Sequence, residues 1–177
     1  EMSVSELVSK WLTKQELPTR KEGLSKISVK QRFAPYQSVL VHARGCTAVK
    51  LIREAHAVNL NVVLVQSDPD MNSVAADMLK DGDKLVCLGG YTSDESYLNG
   101  SSVLRIAEMN GAQALHPGIG FLSENSQFAY QCLAQGLNFI GPSPESMEAM
   151  GDKSRAIHTS IDLGVPVVPG SHGLLRN

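Results

Sequence analysis

Residues 38–66, SVLVHARGCTAVKLIREAHAVNLNVVLVQ, change their hydrophobic period twice. "SVLVH" (38–42) is a short β-rich run. Ala48, Leu51, Ile52, Ala55 and Val58 then recur at helical spacing, and "NVVLVQ" (61–66) is again almost continuously apolar. A strand apolar at consecutive positions is one covered on both faces, as strands of a parallel sheet are.

The alternation continues downstream. Asn72–Leu79 reads as a helix, "LVCLG" (85–89) as a third strand, Tyr97–Met109 as a helix, and "AQAL" (112–115) as a fourth strand. A helix over Asn125–Gln135 leads to "NFIG" (138–141), the fifth strand. Ser143-Pro144 offers an N-cap followed by proline in the first turn, and Asp152 can cap a helix running to Gly164. "VPVVPG" (165–170) reads as one more extended segment. Short apolar strands alternating with helices predict a doubly wound α/β domain with a parallel sheet.

Upstream lies a different kind of segment. "SVSELVSKWL" has capping-box spacing at Ser3 and Glu6, and Val4, Leu7, Val8 and Trp11 fall near one stripe, so a short helix is expected before Pro18. Residues 18–37 are polar, with Pro18, Gly23 and Pro35, and read as a linker. The expected division is a helical leader and linker over 1–37 and a domain over 38–177.

At 177 residues, 42% hydrophobic and 19% charged, the chain has the composition of a globular protein able to bury a core. Residues 1–36 hold seven Lys/Arg against four Glu, leaving +3, and the rest of the chain is at −5. That balance does not favour nucleic acid as the main partner. Cys46, Cys87 and Cys132 are odd in number and dispersed, as expected of reduced thiols in the cytoplasm or an organelle matrix. No apolar run approaches the roughly 20 residues of a membrane span, so no membrane partner is expected.

In parallel sheets of this type, ligands lie beyond the carboxyl ends of the strands. The loops so placed are 43–47, 67–71 and 116–125. The first, "ARGCTA" (43–48), approximates a dinucleotide fingerprint with its first Gly replaced by Ala43, and Asp68 follows at about ribose-contact distance. Asp68 reads equally well as a turn residue beside Pro69. "HPGIGFLSEN" (116–125) is the stronger signal: Gly118 and Gly120 permit positive φ and close approach, and the helix that follows presents free N–H groups. It also reads as a tight strand-to-helix connection, with Ser123 or Asn125 as cap and His116 bonded to backbone. "MGDK" (150–153) places Lys153 at a helix start, where the macrodipole disfavours a cation unless an anion sits nearby. The five His residues show no metal-ligand spacing, and neither G-x-S-x-G nor a Walker A loop occurs, so no metal site and no catalytic residue are assigned.

In order and spacing, "YLNGSSVLRIAEMNGAQALHPGIGFLSENSQFA", "FIGPSPESMEAMGDKSRAI" and "GVPVVPGSHG" resemble the N-terminal domain of biotin carboxylase, as found in acetyl-CoA, propionyl-CoA and pyruvate carboxylases. The resemblance runs from about Val39 to about Leu175. It implies a Rossmann-like or flavodoxin-like layer standing before an ATP-grasp domain, in an enzyme that uses MgATP to activate bicarbonate and carboxylates biotin on a carrier protein. It further implies that Lys153 contacts ATP phosphates, that Gly118 and Gly120 shape a loop facing the cleft, and that Glu124 and His116 make weaker cleft contacts.

The implied cofactors are ATP, Mg and biotin. The implied partners are the ATP-grasp domain, a biotinyl carrier, carboxyltransferase components and a second protomer. The family's first loop reads Asn-Arg-Gly-Glu-Ile-Ala, whereas this chain has Ala43 and Cys46 at the Asn and Glu positions, and Ile119 stands where a Tyr is usual. The chain stops just after "VPVVPG", about where the ATP-grasp domain begins, so no activity is expected of it alone. The alternative expectation is a degenerate scaffold domain that binds a carboxylase-type partner subunit.

Overall fold

The computed structural model describes residues 36–170, so the expected leader helix lies outside the described residues. Five strands, β1 (Ser38–Val41), β2 (Asn61–Gln66), β3 (Lys84–Cys87), β4 (Ala114–His116) and β5 (Asn138–Phe139), form one sheet in the order β3-β2-β1-β4-β5. Every pairing is parallel. Of the two windings expected, this order is the Rossmann one, and its switch point falls between β1 and β4.

The helices are α1 (Gly45–Ala57), α2 (Val74–Asp77), α3 (Gly100–Met109), α4 (Ser126–Ala134), α5 (Pro144–Gly151) and α6 (Lys153–Asp162). Side chains alternate across the sheet, which explains the continuous apolar runs. Leu40, Val63, Val65 and Leu115 face one way, onto Val103 and Leu104 of α3 and Phe128 and Cys132 of α4. Val39, Val41, Val62 and Leu64 face the other way, onto Ala48, Ile52 and Ala55 of α1. Below the sheet, buried Asp83 accepts from the Val62 and Lys80 amides and pairs with His56 at 2.7 Å, tying α1 to the starts of β2 and β3.

Several element bounds differ from the sequence expectation. The helix expected over 72–79 is the single turn α2: Ala75 is buried and Met78 and Leu79 pack partly against the same core, but Val74 faces solvent and the helix ends at Asp77. The helix expected from Tyr97 begins at Gly100, since Asn99 accepts the Ser102 N–H as its cap and Tyr97 is buried elsewhere. Strand β4 starts at Ala114 because the Ala112 N–H closes the end of α3 on the Ala107 carbonyl. Residues 165–169, expected as an extended segment, add no strand to the sheet: Val165 and Val168 are exposed, and Pro166 and Pro169 lack donors. No helix among the described residues is long and apolar enough to cross a membrane.

Candidate functional site

The loops after β1 and β4 meet at the switch point. Pairing continues one residue past β1, with the His42 N–H donating to the His116 carbonyl at 3.0 Å. The His42 side chain is fully buried among Tyr97, Phe121 and Phe128. Its Nε2 lies 2.9 Å from the Tyr97 carbonyl and must carry the proton, because a carbonyl only accepts. Nδ1 has no partner. Burial lowers the His42 pKa to about 4 against the opposing pull of the Tyr97 carbonyl, so the ring is neutral at ordinary pH.

Gly118 has φ +68°, and a Cβ there would stand 2.7 Å from Ala43 Cβ and 3.1 Å from the His42 carbonyl oxygen. A small residue at 43 and none at 118 therefore let the two loops pack directly. Gln66 reinforces the first loop by donating to the Ala43 carbonyl at 2.8 Å. Ala43 and Gly118 thus pack together where a first fingerprint Gly would make its turn, and Asp68 accepts from the Cys87 thiol at 2.9 Å. The geometry does not support the dinucleotide reading of "ARGCTA".

The Gly118 N–H donates to His116 Nδ1 at 3.1 Å, so that nitrogen is unprotonated and Nε2 bears the hydrogen. Burial lowers the His116 pKa and preserves this acceptor. Beyond it, Ile119 is 82% exposed, and Gly120, at φ +77°, faces open space. The turn closes with the Ser123 N–H on the Gly120 carbonyl at 2.9 Å, and Asn125 Oδ1 caps α4 by accepting the Phe128 N–H at 2.9 Å. Glu124 is exposed just before that cap.

Beside this turn stands a cluster that the sequence reading did not nominate. Asp70 Oδ2 accepts from the Tyr97 hydroxyl at 2.8 Å and from Ser67 Oγ at 2.9 Å, with Arg44 Nη1 at 3.8 Å. The Tyr97 ring stacks on Phe121 with centroids 4.5 Å apart and planes 14° from parallel, and the Arg44 guanidinium lies 5.8 Å from the Phe121 ring. Phe121 has φ +47°, a left-handed conformation rare for a bulky residue. Burial, helped by the Asp70 carboxylate, pushes the Tyr97 hydroxyl up to about 12, so it remains a donor. Arg44 and Asp70 sit in strand-end loops, which was the available signal. Nothing local marks Tyr97 as their partner.

His116, Gly118, Gly120 and Glu124 thus share one connection. Lys153 does not: it is exposed at the start of α6, beyond the whole of α5, and shares no hydrogen bond or ion pair with the loop among the described residues. Asp152 caps α6 by accepting the Arg155 N–H at 3.0 Å, and its carboxylate offsets the dipole that Lys153 opposes. Among the described residues, no three or more His, Cys, Asp or Glu cluster as a metal site. A groove of about 470 Å³ is lined by Leu104, Ala107, Ala112 and Leu137. Ala112 and Leu137 precede β4 and β5, so it opens at the amino ends of the strands, away from these loops.

Residues 35–147, which include both loops and the Asp70 cluster, match the family described as biotin carboxylase, N-terminal domain. The chain belongs to this family. The biotin carboxylase of Arabidopsis thaliana chloroplasts is 45% identical over 139 residues, covering 78% of this chain and 25% of the relative. The biotin carboxylase domain of a single-chain bacterial carboxylase superposes with a TM-score of 0.71 at 40% identity, over 77% of this chain and 31% of that one. The biotin carboxylase domain dimer of Hydrogenobacter thermophilus 2-oxoglutarate carboxylase, solved with MgADP, ADP and bicarbonate, gives 0.74 at 36% identity, over 80% and 30%. The chain therefore spans about a quarter to a third of these three proteins. As a biotin carboxylase N-terminal domain it has its turn 118–121 within the matched residues, whereas Lys153 lies beyond them.

Proposed function

We propose that this chain is the N-terminal portion of a biotin-dependent carboxylase, with residues 38–177 forming one wall of the cleft in which carrier-bound biotin is carboxylated from bicarbonate at the expense of ATP. The observation that carries this reading is the HPG-x-GFLSEN turn: Gly118 seats it on Ala43 at the switch point of a domain of this family, leaving Ile119 and Gly120 open to a ligand. ATP hydrolysis would supply the energy that activates bicarbonate.

This chain's own residues have narrower tasks. Gly118 and Gly120 set the loop. His116, with Nδ1 occupied by the Gly118 N–H, has only its Nε2–H to offer a ligand. Glu124 contributes an exposed carboxylate at the same end, and Lys153 an exposed ammonium suited to ATP phosphates. With no metal cluster among the described residues, ligands for Mg would come from the ATP-grasp domain expected to follow. That domain, a biotinyl carrier, carboxyltransferase components and a second protomer are the partners of this reading. A cytoplasmic or organelle-matrix location fits the dispersed cysteines.

The scaffold reading draws on Ile119, 82% exposed where the resemblance calls for Tyr, and on Ala43. One experiment separates the two. In the carboxylase carrying this chain, Lys153→Gln is expected to raise the KM for ATP about tenfold, the scale of one lost charge-assisted contact. Unchanged ATP kinetics would remove Lys153 from the site, and no bicarbonate-dependent ATP turnover in the unaltered protein would favour the scaffold.

A further inference from the structure

The Asp70–Tyr97–Phe121 chain of contacts has no role in what has been assigned so far. Its members come from three different loops: Asp70 follows β2, Tyr97 follows β3 and Phe121 follows β4. Each contact is specific. The Tyr97 hydroxyl is fixed at both ends, donating to Asp70 Oδ2 at 2.8 Å and accepting from the Ser67 N–H at 3.2 Å. Its ring lies flat on Phe121, and Phe121 directly follows Gly120 in a left-handed conformation that is strained for an L-residue. Such a conformation persists only where surrounding contacts hold it. Tyr97 below the ring and the Arg44 guanidinium beside it are those contacts, and Arg44 in turn leans on the same Asp70 oxygen.

We propose that Asp70 and Tyr97 are positioning residues for the biotin-facing turn: Asp70 fixes Tyr97, Tyr97 holds Phe121 left-handed, and Phe121 sets the Gly118–Gly120 backbone. The inference rests on the carboxylase reading of that turn. Neither residue needs to touch substrate, since Tyr97 is fully buried and acts through the stacked ring.

Amide hydrogen exchange on the 177-residue chain tests the positioning directly. The amides to follow are Gly118 and Ser123, bonded to His116 Nδ1 and to the Gly120 carbonyl, with β1 and β4 amides as reference for global stability. Asp70→Ala and Tyr97→Leu are expected to speed exchange at those two sites about tenfold beyond any change in the strands, because local opening is decoupled from global unfolding. Tyr97→Phe keeps the stacked ring but loses the hydroxyl that Asp70 holds, so its loop exchange should resemble that of Asp70→Ala and fall short of the Tyr97→Leu effect. In the carboxylase carrying the chain, Asp70→Ala should raise the KM for biotin and leave the KM for ATP unchanged. Equal acceleration in loop and strands, or a loop that stays protected, overturns the positioning role. A loosened loop with unaltered biotin kinetics instead overturns the carboxylase reading of the turn, and with it the proposal as a statement about the reaction.

Discussion

At the residue scale, two glycines separated by one residue answer to different physics. Both have positive φ, but a Cβ at Gly118 meets Ala43 and the His42 carbonyl, whereas a Cβ at Gly120 meets nothing within 4 Å. Gly120→Ala should therefore lower stability by about 1 kcal/mol, the conformational cost alone. Gly118→Ala should cost roughly 2–4 kcal/mol, because overpacking adds to that cost. Urea midpoints of the two variants would show the difference, and equal losses would mean that the Ala43 contact is not tight. The sequence marks both glycines as special. It cannot rank them, because Ala43 is brought to Gly118 by β1–β4 pairing and not by proximity along the chain.

At the scale of elements, helix starts were the most legible feature, because a cap is a local hydrogen bond. Asn125, Ser143 and Asp152 each accept from a backbone amide three residues on. Asn125→Ala should cost about 1 kcal/mol by leaving the Phe128 N–H without its partner. Asn125→Ser should recover most of that loss in thermal unfolding, and a loss that serine leaves in place would point to a contact other than the cap. Extents were less legible. The segment 72–79 carries helix formers yet yields one turn, with only Ala75 fully buried, and "VPVVPG" carries β-branched residues yet lies outside the sheet, with Val165 and Val168 exposed.

At the scale of the molecule, neutral His42 and ionised Asp83 tie stability to pH in the same direction. The His42 pKa falls from 6.5 to about 4 on folding, so as pH drops the unfolded chain takes up that proton first. Its stabilising share is complete above about pH 6.5 and declines toward pH 4, by about 2 kcal/mol at pH 5. Burial of Asp83 opposes its charge, but the Lys80 and Val62 amides and His56 outweigh burial and hold its pKa below the usual carboxylate value. Its share is present above the ordinary carboxylate range and is lost as pH falls from that range through the lower folded pKa. Urea midpoints at pH 7 and pH 5 should fall accordingly, and a flat profile over that interval would mean that His42 is hydrated or protonated in the folded state.

The sequence by itself determined the α/β class, the five parallel strands, the helix caps and the turn at 116–125, because hydrophobic period, capping and glycine conformation act over a few residues. Only the tertiary structure decided the strand order, the seating of Gly118 on Ala43 and the joining of Asp70 to Tyr97 and Phe121. Those contacts depend on which strand lies beside which, and that is settled by packing the whole sheet between its helices.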